Sequence, residues 1–176
     1  MTLSVLWVQS GGCGGCTMSM LCAEAPDLLS TFDGAGIELL WHPTLSEESG
    51  AEAVAVFERI LSGETPLDVL CVEGALLRGP NNTGRFHVLA GTGRPTIEWV
   101  RRLAGAARHV VAVGTCAAYG GVTAAGANPA DACGLQYDGR RLGGALGGDF
   151  RSRAGLPVIN VAGCPTHPNW VTETLM

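Results

Sequence analysis

Two adjoining segments, Leu3-Ser4-Val5-Leu6-Trp7-Val8 and Cys13-Gly14-Gly15-Cys16, decide the fold of this chain and the chemistry it presents. The apolar run predicts a buried strand that extends over residues 3–9. The glycine-rich turn that follows carries two thiols to the end of that strand. A turn of this kind suits a redox dithiol, half of a zinc site or half of an iron–sulfur site.

Predicted strands and helices alternate along the rest of the 176 residues. Hydrophobic runs predict further strands at 37–42, 67–73, 109–114 and 157–161, and the spacing of apolar residues predicts helices at 18–32, 51–61, 96–107 and 169–176. This alternation implies a parallel sheet with right-handed crossovers. We therefore expect one α/β domain over residues 1–176, with a flavodoxin-like doubly wound parallel sheet in a three-layer αβα arrangement.

The composition argues against several classes of protein. The formal net charge is −5, so binding to nucleic acid is not expected. No apolar run reaches the ~18 residues of a membrane helix, so no membrane span is expected. The first residues lack the basic segment of a secretory signal, which predicts a cytoplasmic protein. In that reducing compartment, the 7 cysteines indicate metal binding or catalysis rather than disulfides.

Two later cysteines are predicted to join the first pair. Cys116 follows the fourth predicted strand and Cys164 follows the fifth. Because parallel strands end at the same edge of a sheet, both should gather there with Cys13 and Cys16, where open α/β sheets bind ligands. Four thiolates favour an iron–sulfur cluster or zinc, and ordinary thiols are the third alternative. The glycines around the first pair favour the cluster, since they let backbone amides approach its sulfurs.

Other candidate residues accompany these cysteines. Thr17 and Thr115 are each adjacent to a cysteine and are expected to donate hydrogen bonds to cluster sulfurs, which would tune the potential of the cluster. Cys22, within the first predicted helix, and Cys71, within the third predicted strand, are expected to be buried thiols. Three histidines, His42, His87 and His167, are expected at the surface or at an interface rather than on a metal.

Four motifs, in order along nearly the whole chain, resemble those of the small subunits of nickel–iron hydrogenases. They lie at 7–19, 72–75, 114–121 and 163–170. The resemblance implies that Cys13, Cys16, Cys116 and Cys164 bind the proximal [4Fe-4S] cluster of such a subunit. It implies no catalytic residue in this chain, because the Ni-Fe centre lies in a partner large subunit. The chain would pass electrons between that centre and an acceptor protein or quinone.

The resemblance also bears on the subtype. In the family, the region around Glu73 packs against the large subunit, which makes an interface or proton-path role the alternative to a plain hydrogen-bonded carboxylate. Gly12 stands where many members have glutamate, and Gly15 and Gly121 stand where oxygen-tolerant members have extra cysteines. These departures predict an ordinary [4Fe-4S] cluster in a cytosolic uptake or hydrogen-sensing hydrogenase, with the small and large subunits forming a heterodimer or higher oligomer.

Two alternative functions are compatible with the sequence. Most such small subunits continue into a second domain with further clusters, which is expected to be absent here. That absence predicts either a truncated chain or the one-cluster small subunit of a bidirectional soluble hydrogenase. The second alternative is a cluster subunit of a respiratory quinone oxidoreductase. Those subunits have adjacent cysteines at the first motif, so the spacing of Cys13 and Cys16 argues against it.

Overall fold

The fold is built on a five-stranded parallel sheet. The computed structural model describes residues 2–176. The strands, in chain order, are β1 (Leu3–Gln9), β2 (Ile37–Trp41), β3 (Val69–Glu73), β4 (His109–Val113) and β5 (Ile159–Val161). Their order across the sheet is β2-β1-β3-β4-β5, and each adjacent pair is parallel. This is the flavodoxin-like order, so the predicted fold class is confirmed.

Helices cover both faces of the sheet. They are α1 (Gly15–Leu21), α2 (Leu28–Gly34), α3 (Ala51–Ser62), α4 (Thr96–Ala106), α5 (Gly114–Tyr119) and α6 (Pro168–Leu175). On one face, α3 and α4 pack against the strands through residues such as Phe57 and Leu70. On the other face, α1, α2 and α6 pack through residues such as Met20 and Val5. The central strands are therefore buried on both sides, as the continuous apolar runs in the sequence indicate.

The single helix predicted over residues 18–32 is two helices in the structure. Helix α1 ends at Leu21 and α2 begins at Leu28. Pro26 lies between them, and a proline lacks an amide donor and disfavours helical geometry at the preceding residue. Asp27 then caps α2, because its Oδ1 accepts a hydrogen bond of 2.9 Å from the Ser30 amide. The prediction was wrong because it continued the apolar spacing through the proline.

Two long connections pair with each other beside the sheet. Leu76–Leu77, in the connection after β3, forms an antiparallel ladder with Ala132–Cys133, in the connection between β4 and β5. The Arg78 guanidinium reinforces this pairing with ion pairs of 2.7 Å to both Asp131 and Asp138. Both connections leave the carboxyl edge of the sheet, so the pairing fixes the backbone that flanks that edge.

Candidate metal centre

Four cysteines meet at the carboxyl edge of the sheet. Cys13 and Cys16 follow β1, Cys116 lies in α5 directly after β4, and Cys164 follows β5. All four line one cavity with a volume of about 80 Å³. Cys13 and Cys164 are exposed, and the other two are partly buried, so the cavity opens at the surface. The structure thus brings together the cysteines that the sequence places at separate strand ends.

The first cysteine turn is held by the backbone of the loop after β3. Gly11 and Ala75 exchange two backbone hydrogen bonds, of 2.9 and 2.8 Å. Gly14 has a left-handed φ of 73°, a conformation that glycine adopts without strain, and α1 begins at the next residue. The Gly15 amide donates to Cys13 Sγ at 3.3 Å. An amide is therefore directed at a cysteine sulfur, as in sites that bind anionic metal–sulfur groups.

Hydrogen bonds join the other two cysteine loops to each other and to α1. The Thr115 amide donates to the Gly163 carbonyl at 2.8 Å, and the Gly163 amide donates to Thr115 Oγ1 at 3.1 Å. In α1, Ser19 Oγ donates to the Thr166 carbonyl at 2.7 Å. Neighbours of the cysteines are thus bonded across the strand ends, which fixes the positions of the thiols around the cavity.

Glycines stand where side chains would collide with the cysteine sulfurs. At Gly121, which has a φ of 54°, a Cβ atom would lie 2.7 Å from Cys116 Sγ. At Gly15, a Cβ atom would lie 3.1 Å from Cys13 Sγ. Gly15 and Gly121 therefore both adjoin sulfurs of this cavity.

Glu73, the last residue of β3, lies behind the first cysteine turn and is only 4% exposed. Its Oε1 accepts hydrogen bonds from the amides of Cys16 and Thr17, at 3.0 and 3.1 Å. Its Oε2 accepts from Trp7 Nε1 at 3.2 Å and from Gln9 Nε2 at 3.1 Å. The Thr17 hydroxyl also donates to Oε2. Of the two roles predicted for Glu73, the structure shows the hydrogen-bonded one, with the carboxylate buried.

The two threonines predicted to face a cluster have different surroundings. Thr17 is buried, and its hydroxyl donates to Glu73, so it supports the cysteine turn from behind. Thr115 lines the cavity, and its Oγ1 accepts a hydrogen bond from the Gly163 amide. A hydrogen bond from Thr115 to a bound cluster stays a prediction. The Thr17 hydroxyl donates to the Glu73 carboxylate instead of to a cluster sulfur.

The electrostatic surroundings of Cys16 disfavour its bare thiolate. Burial raises the pKa of this thiol, the backbone at Thr166 lowers it, and the negative charge of Glu73 raises it further. A cationic metal bound to the sulfur would reverse this balance, because metal ligation requires and stabilises the deprotonated thiol. The position therefore suits a metal ligand better than a nucleophile that must ionise by itself.

The other cysteines lie away from the cavity. Cys22 is the exposed residue directly after α1, so the prediction that it is a buried helical thiol was wrong, because the helix ends one residue earlier. Cys71 is fully buried in β3, as predicted, and burial raises its pKa to about 12. Cys133 is also buried, and burial raises its pKa to about 11.

His42 is buried, contrary to the prediction that it lies at the surface or at an interface. It is 0% exposed, and its ring centroid lies 5.2 Å from that of Trp7. Its Nδ1 accepts a hydrogen bond of 3.0 Å from the Thr44 amide. Burial lowers its pKa to about 4, against an opposing effect from the charge of Glu73. His42 directly follows β2, and hydropathy alone does not reveal that its ring packs against Trp7.

Two donors to Glu73 were missed at the level of sequence. The sequence predicts a role in the site for neither Trp7 nor Gln9. Trp7 and Gln9 are two positions apart in β1, so their side chains lie on the same face of the strand. The pairing of β1 with β3 places Gln9 opposite Glu73. This two-residue spacing is visible in the sequence, but the sequence does not show that β3 lies beside β1.

Two features are absent from residues 2–176. No three His, Cys, Asp or Glu side chains there lie close enough together to share a single metal ion. No helix of that range has the length and hydrophobicity needed to cross a membrane.

Comparisons with known proteins show the family to which the chain belongs. The family described as NADH ubiquinone oxidoreductase, 20 Kd subunit, matches residues 13–176. The F420 non-reducing hydrogenase I small subunit of Methanosarcina mazei is 32% identical over 97% of this chain and 47% of its own length. The periplasmic [NiFeSe] hydrogenase small subunit of Desulfomicrobium baculatum is 33% identical over 98% of this chain and 53% of its own length.

A solved structure also matches this chain over almost its whole length. The actinobacterial-type NiFe-hydrogenase of Ralstonia eutropha H16 superposes with a TM-score of 0.83 and 35% identity, over 99% of this chain and 52% of that one. The chain belongs to the family of the NADH ubiquinone oxidoreductase 20 Kd subunit, and its relatives there are small subunits of nickel–iron hydrogenases. It spans about half the length of the relatives it matches.

Proposed function

We propose that this chain is the electron-transfer small subunit of a nickel–iron hydrogenase and that it holds one [4Fe-4S] cluster. Cys13, Cys16, Cys116 and Cys164 would be the cluster ligands. The observation that carries the proposal is that these four thiols, from three separate strand ends, line one cavity. The names of the relatives support the hydrogenase assignment.

The cavity suits a cluster better than a single ion. All four cysteines line it, yet within residues 2–176 no three of the His, Cys, Asp and Glu side chains lie close enough together to hold one ion. Zinc would draw all four sulfurs to within about 2.3 Å of one point. A cubane, in contrast, takes one thiolate at each of four irons, so its ligands surround a core. The glycines beside Cys13 and Cys116 leave the sulfurs free to face such a core.

The proposed reaction divides between two subunits. The Ni-Fe centre held by the large subunit would supply the chemistry that converts hydrogen to two protons and two electrons. A cluster held by Cys13, Cys16, Cys116 and Cys164 would supply one-electron redox chemistry. The role of this chain is to position the cluster, to shield it and to set its potential.

The surface beside the cavity fits a protein partner. Met18, two residues beyond Cys16, is 61% exposed, and Val122, six residues beyond Cys116, is 76% exposed. Exposed apolar residues around a redox site are typical of a surface that another subunit covers. We assign this surface to the large subunit, which would exclude water from the path between the two redox centres.

The subtype and location form a finer part of the proposal. Gly12, Gly15 and Gly121 support an uptake or hydrogen-sensing hydrogenase in the cytoplasm, with a protein or quinone as acceptor. Cell fractionation tests the location directly. Uptake predicts sustained hydrogen-dependent reduction of the acceptor, whereas sensing predicts slow turnover with hydrogen-dependent binding of a signalling partner.

The test is co-production of the chain with a nickel–iron hydrogenase large subunit from the same source. We expect a complex that contains nickel and that reduces a viologen dye with hydrogen. Cys116→Ala should lower that rate by at least about tenfold, because it removes a ligand of the electron path. The matched control Cys22→Ala should retain the rate, since Cys22 lies outside the cavity.

One alternative has support from the family description, which is that of a respiratory subunit. In that case the chain would purify with a nickel-free partner, and the complex would reduce quinone without responding to hydrogen. The spacing of Cys13 and Cys16 favours the hydrogenase. Co-purification of nickel with the chain separates the two functions.

A further inference from the structure

The carboxylate of Glu73 is surrounded entirely by donors. Two backbone amides bind Oε1, and an indole, a side-chain amide and a hydroxyl bind Oε2. An ionised carboxylate only accepts hydrogen bonds, whereas a protonated one must also donate. Because all five neighbouring groups donate, the arrangement is that of a buried negative charge.

This charge is coupled to the cysteine turn through the backbone. The amide of Cys16, one of the proposed ligands, donates to Glu73 at 3.0 Å, and the next amide along α1 donates at 3.1 Å. Glu73 also lines the cavity that the four cysteines share. The charge therefore acts on the first turn in two ways: it fixes the backbone at Cys16, and it adds negative potential at the cavity.

We propose that Glu73 is a positioning residue that also lowers the reduction potential of the cluster, an inference that rests on the proposed function. Reduction adds a negative charge to the cluster. A fixed negative charge that lines the same cavity, in a poorly screened interior, opposes that addition. The five donors hold the charge in place and partly offset it, so the strength of each hydrogen bond adjusts the potential.

Removal of a donor to Glu73 should shift the reduction potential of the cluster in a direction that a purely structural role does not predict. Trp7 Nε1 donates to Oε2 at 3.2 Å, and Trp7→Phe removes this donor while it preserves an aromatic ring in the core. With one donor fewer, the carboxylate charge is less compensated. The potential should then shift downward, opposite to the shift that follows loss of the charge itself.

Asp68 supplies a matched control. It precedes β3, accepts hydrogen bonds of 3.0 Å from the Ser4 amide and hydroxyl, and is only partly exposed. Asp68 lies five positions before Glu73 in the sequence, a distance of about 17 Å along an extended chain. Asp68→Asn therefore removes a hydrogen-bonded carboxylate charge next to the other end of β3 without altering the surroundings of the cavity.

The experiment is a redox titration of the purified complex, followed by the electron paramagnetic resonance signal of the reduced cluster. We expect an upward shift of the potential in Glu73→Gln, a downward shift in Trp7→Phe and no shift in Asp68→Asn. If Glu73→Gln fails to retain the cluster, the downward shift in Trp7→Phe still tests the inference. Unchanged potentials, or shifts of the same sign in Glu73→Gln and Trp7→Phe, would overturn it. A wild-type complex without iron would instead refute the proposed function.

Discussion

Gly121 lies so close to Cys116 that a Cβ atom at position 121 would stand 2.7 Å from the cysteine sulfur. Its φ of 54° adds strain for any other residue. In this chain, both the backbone conformation and the space that the Cys116 thiol occupies therefore favour glycine at position 121.

Gly121→Ala should consequently lower the iron content of the purified chain, because the new methyl group displaces Cys116 Sγ. Gly126→Ala is the matched control, since Gly126 also has a positive φ of 68° but would meet no atom within 4 Å. Both variants carry backbone strain, and only the first should lose iron. Equal iron contents in the two variants would contradict the proposed crowding at Cys116.

The cap of α2 makes a measurable contribution to stability. Asp27 accepts hydrogen bonds of 2.9 Å from the Ser30 amide and 2.7 Å from its hydroxyl. Asp27→Ala should lower the free energy of unfolding, because it leaves the Ser30 amide at the start of the helix without its acceptor. Asp33→Ala, an exposed substitution in the last turn of the same helix, should have a smaller effect. Urea unfolding of both variants measures the difference, and equal losses would argue against the cap.

Acid should destabilise the protein through His42. An unfolded histidine binds a proton below about pH 6.5, whereas folded His42 does so only below about pH 4. Between these two values the unfolded state holds more protons, so stability is complete above about pH 6.5 and falls as the pH decreases toward 4. The loss should reach up to about 3 kcal/mol, since each pKa unit corresponds to about 1.4 kcal/mol.

The melting temperature at pH 5.5 and pH 7.5 tests this dependence, with the pH values chosen within and above the window. His42→Asn should reduce the difference between the two, because asparagine keeps an acceptor for the Thr44 amide but does not titrate. His167→Asn is the control, since His167 is exposed and its Nδ1 accepts a similar hydrogen bond from the Asn169 amide. An unchanged pH difference in His42→Asn would assign the acid sensitivity to other groups.

Alkylation should divide the cysteines into three groups. Cys22 is exposed and should react with iodoacetamide in the cluster-loaded chain, whereas Cys71 and Cys133 should react only after unfolding. Their pKa values are raised by burial to about 12 and about 11, so both their access and their ionisation are suppressed. Cys13, an exposed residue and a proposed ligand, should become reactive when a chelator removes the iron. Mass spectrometry locates the labels, and early labelling of Cys71 would contradict its burial.

The sequence was sufficient to predict the sheet and the convergence of four thiols, because both follow from the alternation of strands and helices. Contacts between segments that are far apart in the sequence could not be predicted in the same way. The burial of His42 depends on which strand lies beside β2, and the donors to Glu73 depend on the pairing of β1 with β3. Pro26 in the sequence indicates the break between α1 and α2. The helical spacing of apolar residues on both sides of it nevertheless favoured one continuous helix.

The most direct test of the central claim is anaerobic analysis of iron and acid-labile sulfide in the purified chain. We predict about four of each per chain, as one cubane requires. Cys116→Ala should lose iron and sulfide together, and Cys22→Ala should retain both. Zinc in place of iron, or full iron and sulfide in Cys116→Ala, would contradict the assignment of the four cysteines to one [4Fe-4S] cluster.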